Sequence, residues 1–388
     1  MSEKKLRVLG KGITAQAIKD NFKNVELYDD SNFHMYDATS DELTVVSPGI
    51  PPYNEMVKKS NCVISDYDLL SDDMPFSIWI SGTNGKTTTT QMCQHLLKEY
   101  GSVCGGNIGT PISSLDKNSK IWILETSSFT LHYTNKAKPN LYILLPISED
   151  HISWHGSFQE YKNAKLKPLE QMLEGEIAIV PKEFENYNTN ASLITYDNSD
   201  DLCKKFDIDK SKINFKEPFL MDALLALATK KIIFDLVDYE KINSFKVDEH
   251  KVEEFLDKKN RVWINDSKAT NVDATINAIN TYKEKNIHLI LGGDDKGANL
   301  EPLFNYLKDK KVQIYAIGTN YERIIKLSNK FCVDSYEVKT LDKAVEKIDM
   351  NYHENDIAML SPAASSLDQF SSYASRGKLF KELVNNLS

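Results

Sequence analysis

Residues 82–90 read GTNGKTTTT and directly follow the apolar run FSIWIS. A strand that feeds a glycine turn into a helix aims backbone N–H groups and the positive end of the helix dipole at one spot, as phosphate binding requires. Gly82 and Gly85 let the backbone approach an anion, Lys86 adds a point charge, and Thr87 offers a hydroxyl to a phosphate-bound Mg2+. The common phosphate loop, G-x-x-x-x-G-K-[ST], would need glycine at position 80, where Ile80 stands. A threonine-rich helix start is the plainer reading. The ordered succession of strand, glycines, Lys-Thr and amphipathic helix favours a phosphate loop of shorter form. Glu125 closes the buried-type strand pattern KIWILE, and His151 lies just past LYILLPI. Each alone reads as a cap or loop contact. Parallel strands of one sheet would bring both to the phosphate loop, where a carboxylate, an imidazole and a phosphate oxygen suit Mg2+.

The segment SFQEYKNAKLKPLEQML places Phe158, Tyr161, Lys165, Leu169 and Met172 on one helical face, so a lysine interrupts an apolar stripe. Pro168 also disfavours the turn before it, because its ring meets the carbonyl of Ala164. Two readings stand. Lys165 extends its amine to water, or desolvation lowers its pKa and frees a neutral amine for chemistry. Farther along, WINDSKATN sets Asp266, Ser267, Lys268 and Thr270 in a strand-to-helix loop, with Thr270 or Asn271 as the helix cap. LILGGDDKG places Lys296 in a second such loop, and LSPAASSLDQF places Ser365 and Ser366 in a third. Two lysines and several hydroxyls at one sheet edge suit a ligand bearing carboxylates.

The elements that must position these residues alternate strand and helix throughout. The 388 residues divide into three blocks, 1–75, 76–246 and 247–388. The fold class expected is α/β: a Rossmann-like N-terminal domain, a central P-loop ATPase-like domain on a parallel sheet, and a C-terminal Rossmann-like domain. In the first block GKGITA supplies two glycines of the dinucleotide fingerprint, so a phosphate turn and a plain strand-to-helix turn both remain open. In the second, Met92, Cys93, Leu96, Leu97 and Tyr100 form the apolar stripe of the helix after the loop, and Gly101 ends it. In the third, RVWIND, IHLILGG, VQIYAIG and IAMLSP read as parallel strands separated by helices. Ligands of such sheets collect beyond the strand C-termini.

Composition narrows the function classes. A formal net charge of −9 disfavours nucleic acid as a general partner. The five cysteines, at 62, 93, 104, 203 and 332, form no C-x-x-C and fit a reducing compartment. The opening MSEKKLRVLG enters a strand pattern at once, so no leader peptide is expected. No apolar run approaches the ~18 residues that span a bilayer. The expectation is a cytoplasmic protein without membrane insertion.

GTNGKT, GGNIG, ETSSF, DHI with YKNAK, HKVE, NDSKATN, GGDDKG and LSPAASSLDQF occur in the order seen in Mur ligases, which the chain resembles over nearly its whole length. These are ATP-dependent amino-acid ligases of peptidoglycan precursor synthesis, and their phosphate loop has the short G-x-x-G-K-[ST] form. NDSKATN with SLDQF resembles the branch that adds D-glutamate to UDP-N-acetylmuramoyl-L-alanine through an acyl phosphate. The resemblance implies that Gly82, Thr83, Asn84, Gly85, Lys86, Thr87, Thr88, Lys251 and Asp266 bind ATP. It implies that Lys86, Glu125, His151, Lys165 and Lys268 are catalytic. It also implies that Thr87, Glu125, His151 and a CO2-carbamylated Lys165 hold Mg2+, as two ions. Gly12, Ile13, Thr14, Asn107 and Ser127 match the UDP-substrate positions, and Thr270, Lys296, Ser366, Leu367 and Tyr373 match those for D-glutamate. The implied partners are these small molecules, and the implied state is a monomer. The chain departs from the family where Pro218-Phe219 replaces His-Asn, Asp222 replaces a second Asn, and Lys251 follows His250 in place of Arg. It also lacks the arginine often placed near uracil, YDDSN standing there. A folylpolyglutamate-synthase-like ligase and a non-catalytic nucleotide-binding protein built on the same fold are the alternatives. The first should lack SLDQF, and the second would not need Lys86, Glu125, His151, Lys165, Lys268 and Lys296 together.

Overall fold

A computed structural model describes residues 5–37 and 42–387. Its described strands form three sheets. The first has the order β2-β1-β3-β4, from β1 (Leu6–Leu9), β2 (Val25–Tyr28), β3 (Thr44–Val46) and β4 (Val63–Ile64), all parallel. The second is built from β5 (Phe76–Ser81), β6 (Ser102–Gly106), β7 (Ile121–Glu125), β8 (Leu141–Leu144), β9 (Ile177–Pro181) and β10 (Ser192–Tyr196). Its order is β10-β9-β8-β5-β7-β6, again parallel. β5 therefore lies between β7 and β8, and the segments that leave these three strands start from one edge.

The third sheet comprises β11 (Glu253–Leu256), β12 (Val262–Asn265), β13 (Ile287–Gly292), β14 (Val312–Ile317), β15 (Ser335–Lys339) and β16 (Ile357–Leu360), in the order β11-β12-β16-β13-β14-β15. It is not wholly parallel, because β11 pairs antiparallel with β12. Residues 257–261 between them form a turn closed by Asn260 N–H on the Asp257 carbonyl, and a link this short cannot make the crossover that parallel pairing needs. β15 is the other edge, and its polar, half-exposed sequence SYEVK carries little of the apolar signal that marks central strands.

Alternation along each central strand explains why both faces are covered. Ile78 and Ile80 of β5 pack with Met92 and Leu96 of the helix Lys86–Leu97 and with Leu224 and Leu227 of the helix Phe219–Phe234. Trp79, between them, joins Tyr142, Leu144, Leu166 and Leu169 on the opposite face. In the third sheet Leu289 and Leu291 serve one cluster while Ile290 serves the other. Truncating any of these buried leucines to alanine would cost about 2–5 kcal/mol. The first sheet shares a core with the helix Ser128–Tyr133: Tyr133 lies among Leu9, Tyr28, Val46 and Met56, and its hydroxyl donates to the Ile50 carbonyl at 2.8 Å.

The chain condenses into two compact units, Met1–Phe215 with Phe219–Phe245, and Lys216–Pro218 with Lys246–Ser388. The first contains the first two sheets and the second contains the third. No helix among the described residues is long and apolar enough to cross a membrane.

Candidate active site

In the first unit, β5 delivers the chain into the turn at Gly82, whose φ of +136° is accessible to glycine. A Cβ there would lie 2.4 Å from Leu145 Cβ, so the close approach also requires its absence. Gly85, at φ +84°, is the N-cap of the helix Lys86–Leu97 and has no side chain with which to cap it. Thr83 ties the loop to the segment after β8. Its N–H donates to the Pro146 carbonyl at 3.0 Å, and its hydroxyl bridges Ser148 and the Tyr161 hydroxyl. Lys86 folds back onto the loop, its amine donating to the Thr83 carbonyl at 2.7 Å. Thr89, one turn into the helix, donates to Asp222 Oδ1 at 2.7 Å, so the aspartate that departs from the family pattern packs against this loop.

Glu125 ends β7 beside the loop, buried at 3% exposure. Its Oε2 accepts from the Thr87 hydroxyl and its Oε1 from Asn107 Nδ2, both at 2.8 Å. The carboxylate, a hydroxyl and an amide of three separate segments thus converge at the start of one helix. Ser127, two residues on, spends its hydroxyl as the N-cap of the helix Ser128–Tyr133, accepting from Thr130 N–H. Thr88 is buried in the first turn after the loop, while Asn84 is half-buried within it.

Lys165 lies within the helix Phe158–Gln171 at 1% exposure, its amine donating to the Gly82 carbonyl at 2.7 Å. The amine does not reach water, so of the two sequence readings the structure selects burial. Desolvation, with the neighbouring positive charge of Lys86, holds its pKa well below the ordinary lysine value. Tyr161 supports it, with its ring 4.7 Å from the amine. The same ring stands 6.1 Å from that of His151, which occupies a left-handed position (φ +53°) and packs against Phe129 at 4.7 Å. His151 is therefore linked to Lys165 through Tyr161. Among the described residues no group of three or more His, Cys, Asp or Glu forms a ready-made metal cage. Gly12 caps the helix Ile13–Asn21 after β1, leaving Ile13 77% exposed and Thr14 half-buried.

In the second unit three loops leave the adjacent strands β12, β16 and β13. Asp266 follows β12 and is buried; its Oδ2 accepts from the Ser361 hydroxyl at 2.7 Å and its Oδ1 from Val252 N–H. Burial pushes its pKa up to about 7, with the Ser361 bond opposing. Asn271, the second of the two expected caps, takes the role by accepting from Ala274 N–H, which leaves Thr270 exposed. Lys268 lays its amine 4.2 Å from the centre of the Tyr373 ring. Lys296 is exposed in a left-handed position (φ +50°), with its N–H on Asp294 Oδ1. A bridge between Asp294 and Ser365 joins that loop to the one carrying Ser366, which is buried, and Leu367, which is 64% exposed. His250 is buried, with Nδ1 2.7 Å from Asn265 Nδ2, and Lys251 pairs with Asp248 at 3.1 Å. Two residues stand out here that sequence patterning did not mark. Leu145 faces both loop glycines, and Arg376 bonds the loops after β12 and β16 while lying beside Gly293 of the third. An arginine inside the helix Tyr373–Asn385 is the one signal that could have found the latter.

Residues 80–217 match the model of the Mur ligase middle domain, and residues 253–364 match that of the Mur ligase glutamate ligase domain. A UDP-N-acetylmuramoylalanine–D-glutamate ligase of Campylobacter jejuni is 48% identical, over 99% of this chain and 100% of its own. The chain belongs to the Mur ligase family. A Helicobacter pylori enzyme of the same name is 43% identical to this Mur ligase, over 98% of this chain and 99% of its own. Among solved structures, the MurF ligase of Thermotoga maritima in complex with ADP shares the fold at a TM-score of 0.61 and 13% identity, covering 99% of this Mur ligase and 95% of that chain. E. coli FolC in complex with DHPP and ADP does so at 0.58 and 13% identity, covering 82% and 92%.

Proposed function

We propose that this Mur ligase uses ATP to join D-glutamate to UDP-N-acetylmuramoyl-L-alanine, releasing ADP and phosphate, in cytoplasmic peptidoglycan precursor synthesis. The observation that carries the reading is the 48% identity, end to end, with a ligase named for that reaction. We assign the UDP-substrate to 1–75, ATP to 76–246 and D-glutamate to 247–388, and expect the protein to act as a monomer.

A carboxylate is a poor electrophile and its oxygen a poor leaving group. The alanyl carboxylate therefore attacks the γ-phosphorus of ATP, the bond to ADP breaks, and an acyl phosphate results. The loop 82–88 holds the phosphates on backbone N–H groups, and Lys86 neutralises charge that grows on the transferred group. The amine of D-glutamate then attacks the acyl carbon, loses a proton, and the tetrahedral intermediate expels phosphate as the amide forms. Thr270, Lys296, Ser366, Leu367 and Tyr373 hold the D-glutamate, Lys268 meets the phosphate, and Asp266 with Lys251 binds ATP. Gly12, Ile13, Thr14, Asn107 and Ser127 hold the UDP-substrate.

The hydroxyl of Thr87 and the carboxylate of Glu125, 2.8 Å apart, are hard oxygen donors of the kind Mg2+ takes, so the residues fit that ion. Thr87, Glu125, His151 and a carbamylated Lys165 would hold it, in up to two ions; bound, it would draw charge from the phosphate oxygens. The buried, low-pKa amine of Lys165 fits carbamylation, because the free base adds CO2 and releases a proton, turning a cation site into an anion.

Phosphate release is measured with ATP, Mg2+, bicarbonate and UDP-N-acetylmuramoyl-L-alanine, offering D-glutamate, L-glutamate, L-alanine or diaminopimelate separately. Turnover is expected with D-glutamate alone. Absence of D-glutamate-dependent release would sink the reading, and turnover on a folate acceptor would favour the folylpolyglutamate branch.

A further inference from the structure

Arg376 is the largest charged side chain buried in the second unit, at 1% exposure. Its Nε donates to the Ser267 hydroxyl at 2.9 Å, and its Nη2 donates to the Ser267 carbonyl at 2.9 Å and the Ala364 carbonyl at 3.2 Å. Its Nη1 lies beside Gly293, where an added Cβ would come within 3.3 Å of it. One guanidinium thus bonds the loops after β12 and β16 and lies beside Gly293 of the loop after β13. The Ser267 hydroxyl in turn donates to the Tyr373 carbonyl at 2.8 Å, which binds the head of the helix Tyr373–Asn385 into the same cluster.

Every bonded partner is neutral. Among the described residues no ion pair joins Arg376 to a carboxylate; Asp368 and Asp266 attract it only through longer-range charge. Desolvation pulls its pKa down to about 10. The arginine also sits one turn inside its helix, at the positive end of the dipole, and no acidic residue occupies that first turn. Burial and the helix dipole oppose a cation here, and the neutral partners solvate it without a compensating charge. Neutral donors could tie the loops together without that opposition, so the retained charge has a use beyond tying. A low-dielectric cation directly behind loops that bear Thr270, Lys296 and Ser366 favours anionic groups on their outer side.

We propose that Arg376 is a positioning residue for the amino-acid pocket, fixing the three loops in one arrangement and biasing the pocket toward a dicarboxylic amino acid. The selectivity half rests on the function proposed above; the positioning half does not.

The full-length protein is compared with Arg376→Met and Arg376→Lys. Methionine keeps the length without charge, and lysine keeps charge without the planar fork. Backbone hydrogen exchange is followed in 266–270, 293–297 and 361–367. All three segments are expected to lose protection together in Arg376→Met while the strands keep theirs; unchanged protection overturns the positioning role. In steady-state kinetics the KM for D-glutamate is expected to rise about 10–100-fold, as for loss of charge-assisted hydrogen bonds, with the KM for the UDP-substrate held. The preference for D-glutamate over D-glutamine, as a kcat/KM ratio, is expected to fall in Arg376→Met and recover partly in Arg376→Lys. An unchanged ratio overturns the selectivity role. A wild-type protein that does not use D-glutamate refutes the proposed function instead, and the exchange measurement still decides the positioning. If Arg376→Met does not fold, Arg376→Lys carries both readouts: intact protection beside a wild-type D-glutamate KM overturns the proposal.

Discussion

Asp66 begins the short helix Asp66–Leu69, outside the candidate site, with Ser65 as its cap. Its carboxyl is buried, and Oδ1 has no hydrogen-bond partner. Desolvation pushes its pKa up from 3.8 to about 7, against the backbone N–H groups of Asp66 and Tyr67 that favour the anion. The folded protein therefore keeps a proton that the unfolded chain has lost. Stability falls as pH rises above about 3.8, and the loss is complete above about 7. About three pH units, at about 1.4 kcal/mol each, amount to roughly 4 kcal/mol. Asp66→Asn preserves the shape and the acceptor facing the two N–H groups but cannot ionise. It is expected to match the wild type at pH 4 and exceed it by about 4 kcal/mol at pH 8. For a unit of this size each kcal/mol moves Tm by about 2–4 °C, so calorimetry should show the gap widening to about 8–16 °C. Ligase activity should persist. A gap that stays closed at pH 8 refutes the desolvated carboxyl, and so does a gap of equal size at pH 4.

At the phosphate loop, Gly82→Ala forces a Cβ to within 2.4 Å of Leu145 Cβ at φ +136°. It should cost about 2–5 kcal/mol and abolish ATP binding by calorimetry. Gly12→Ala, at φ −73° with no atom within 4 Å of the new Cβ, should leave stability unchanged. Lys165→Ala should lower kcat by about 10²–10³, with partial recovery in acetate; wild-type rates would remove Lys165 from the catalytic set. Glu125→Gln places an amide where Thr87 and Asn107 both need an acceptor. The Mg2+ concentration for half-maximal rate should rise about tenfold or more, and an unshifted Mg2+ titration counts against Glu125 as a ligand.

Local patterning made much of this molecule legible. Strand periodicity located β5, β7, β8, β12, β13 and β16, and with them the loops where Lys86, Glu125, Asp266 and Lys296 stand. It was weakest at the edges, where β11 and β15 alternate polar and half-buried residues and lack the apolar run of a central strand. Helical spacing put Lys165 on a buried face but left the direction of its amine open, because a four-carbon stem can reach either water or the interior.

What the sequence determined by itself is therefore the set of chemical groups and the strand ends from which they project, since both follow from residue type and period. Tertiary structure decided which groups meet. The order β8-β5-β7 sets Glu125 against Thr87 and brings Lys165 to the Gly82 carbonyl, contacts that span 38 and 83 residues. Packing decided that Ser127 and Asn271 serve as caps. It also turned Arg376, unremarked in YASRGKLF, into the buried link between two loops and the neighbour of a third, because the desolvation that marks it exists only once Ser267 and Ala364 close around it.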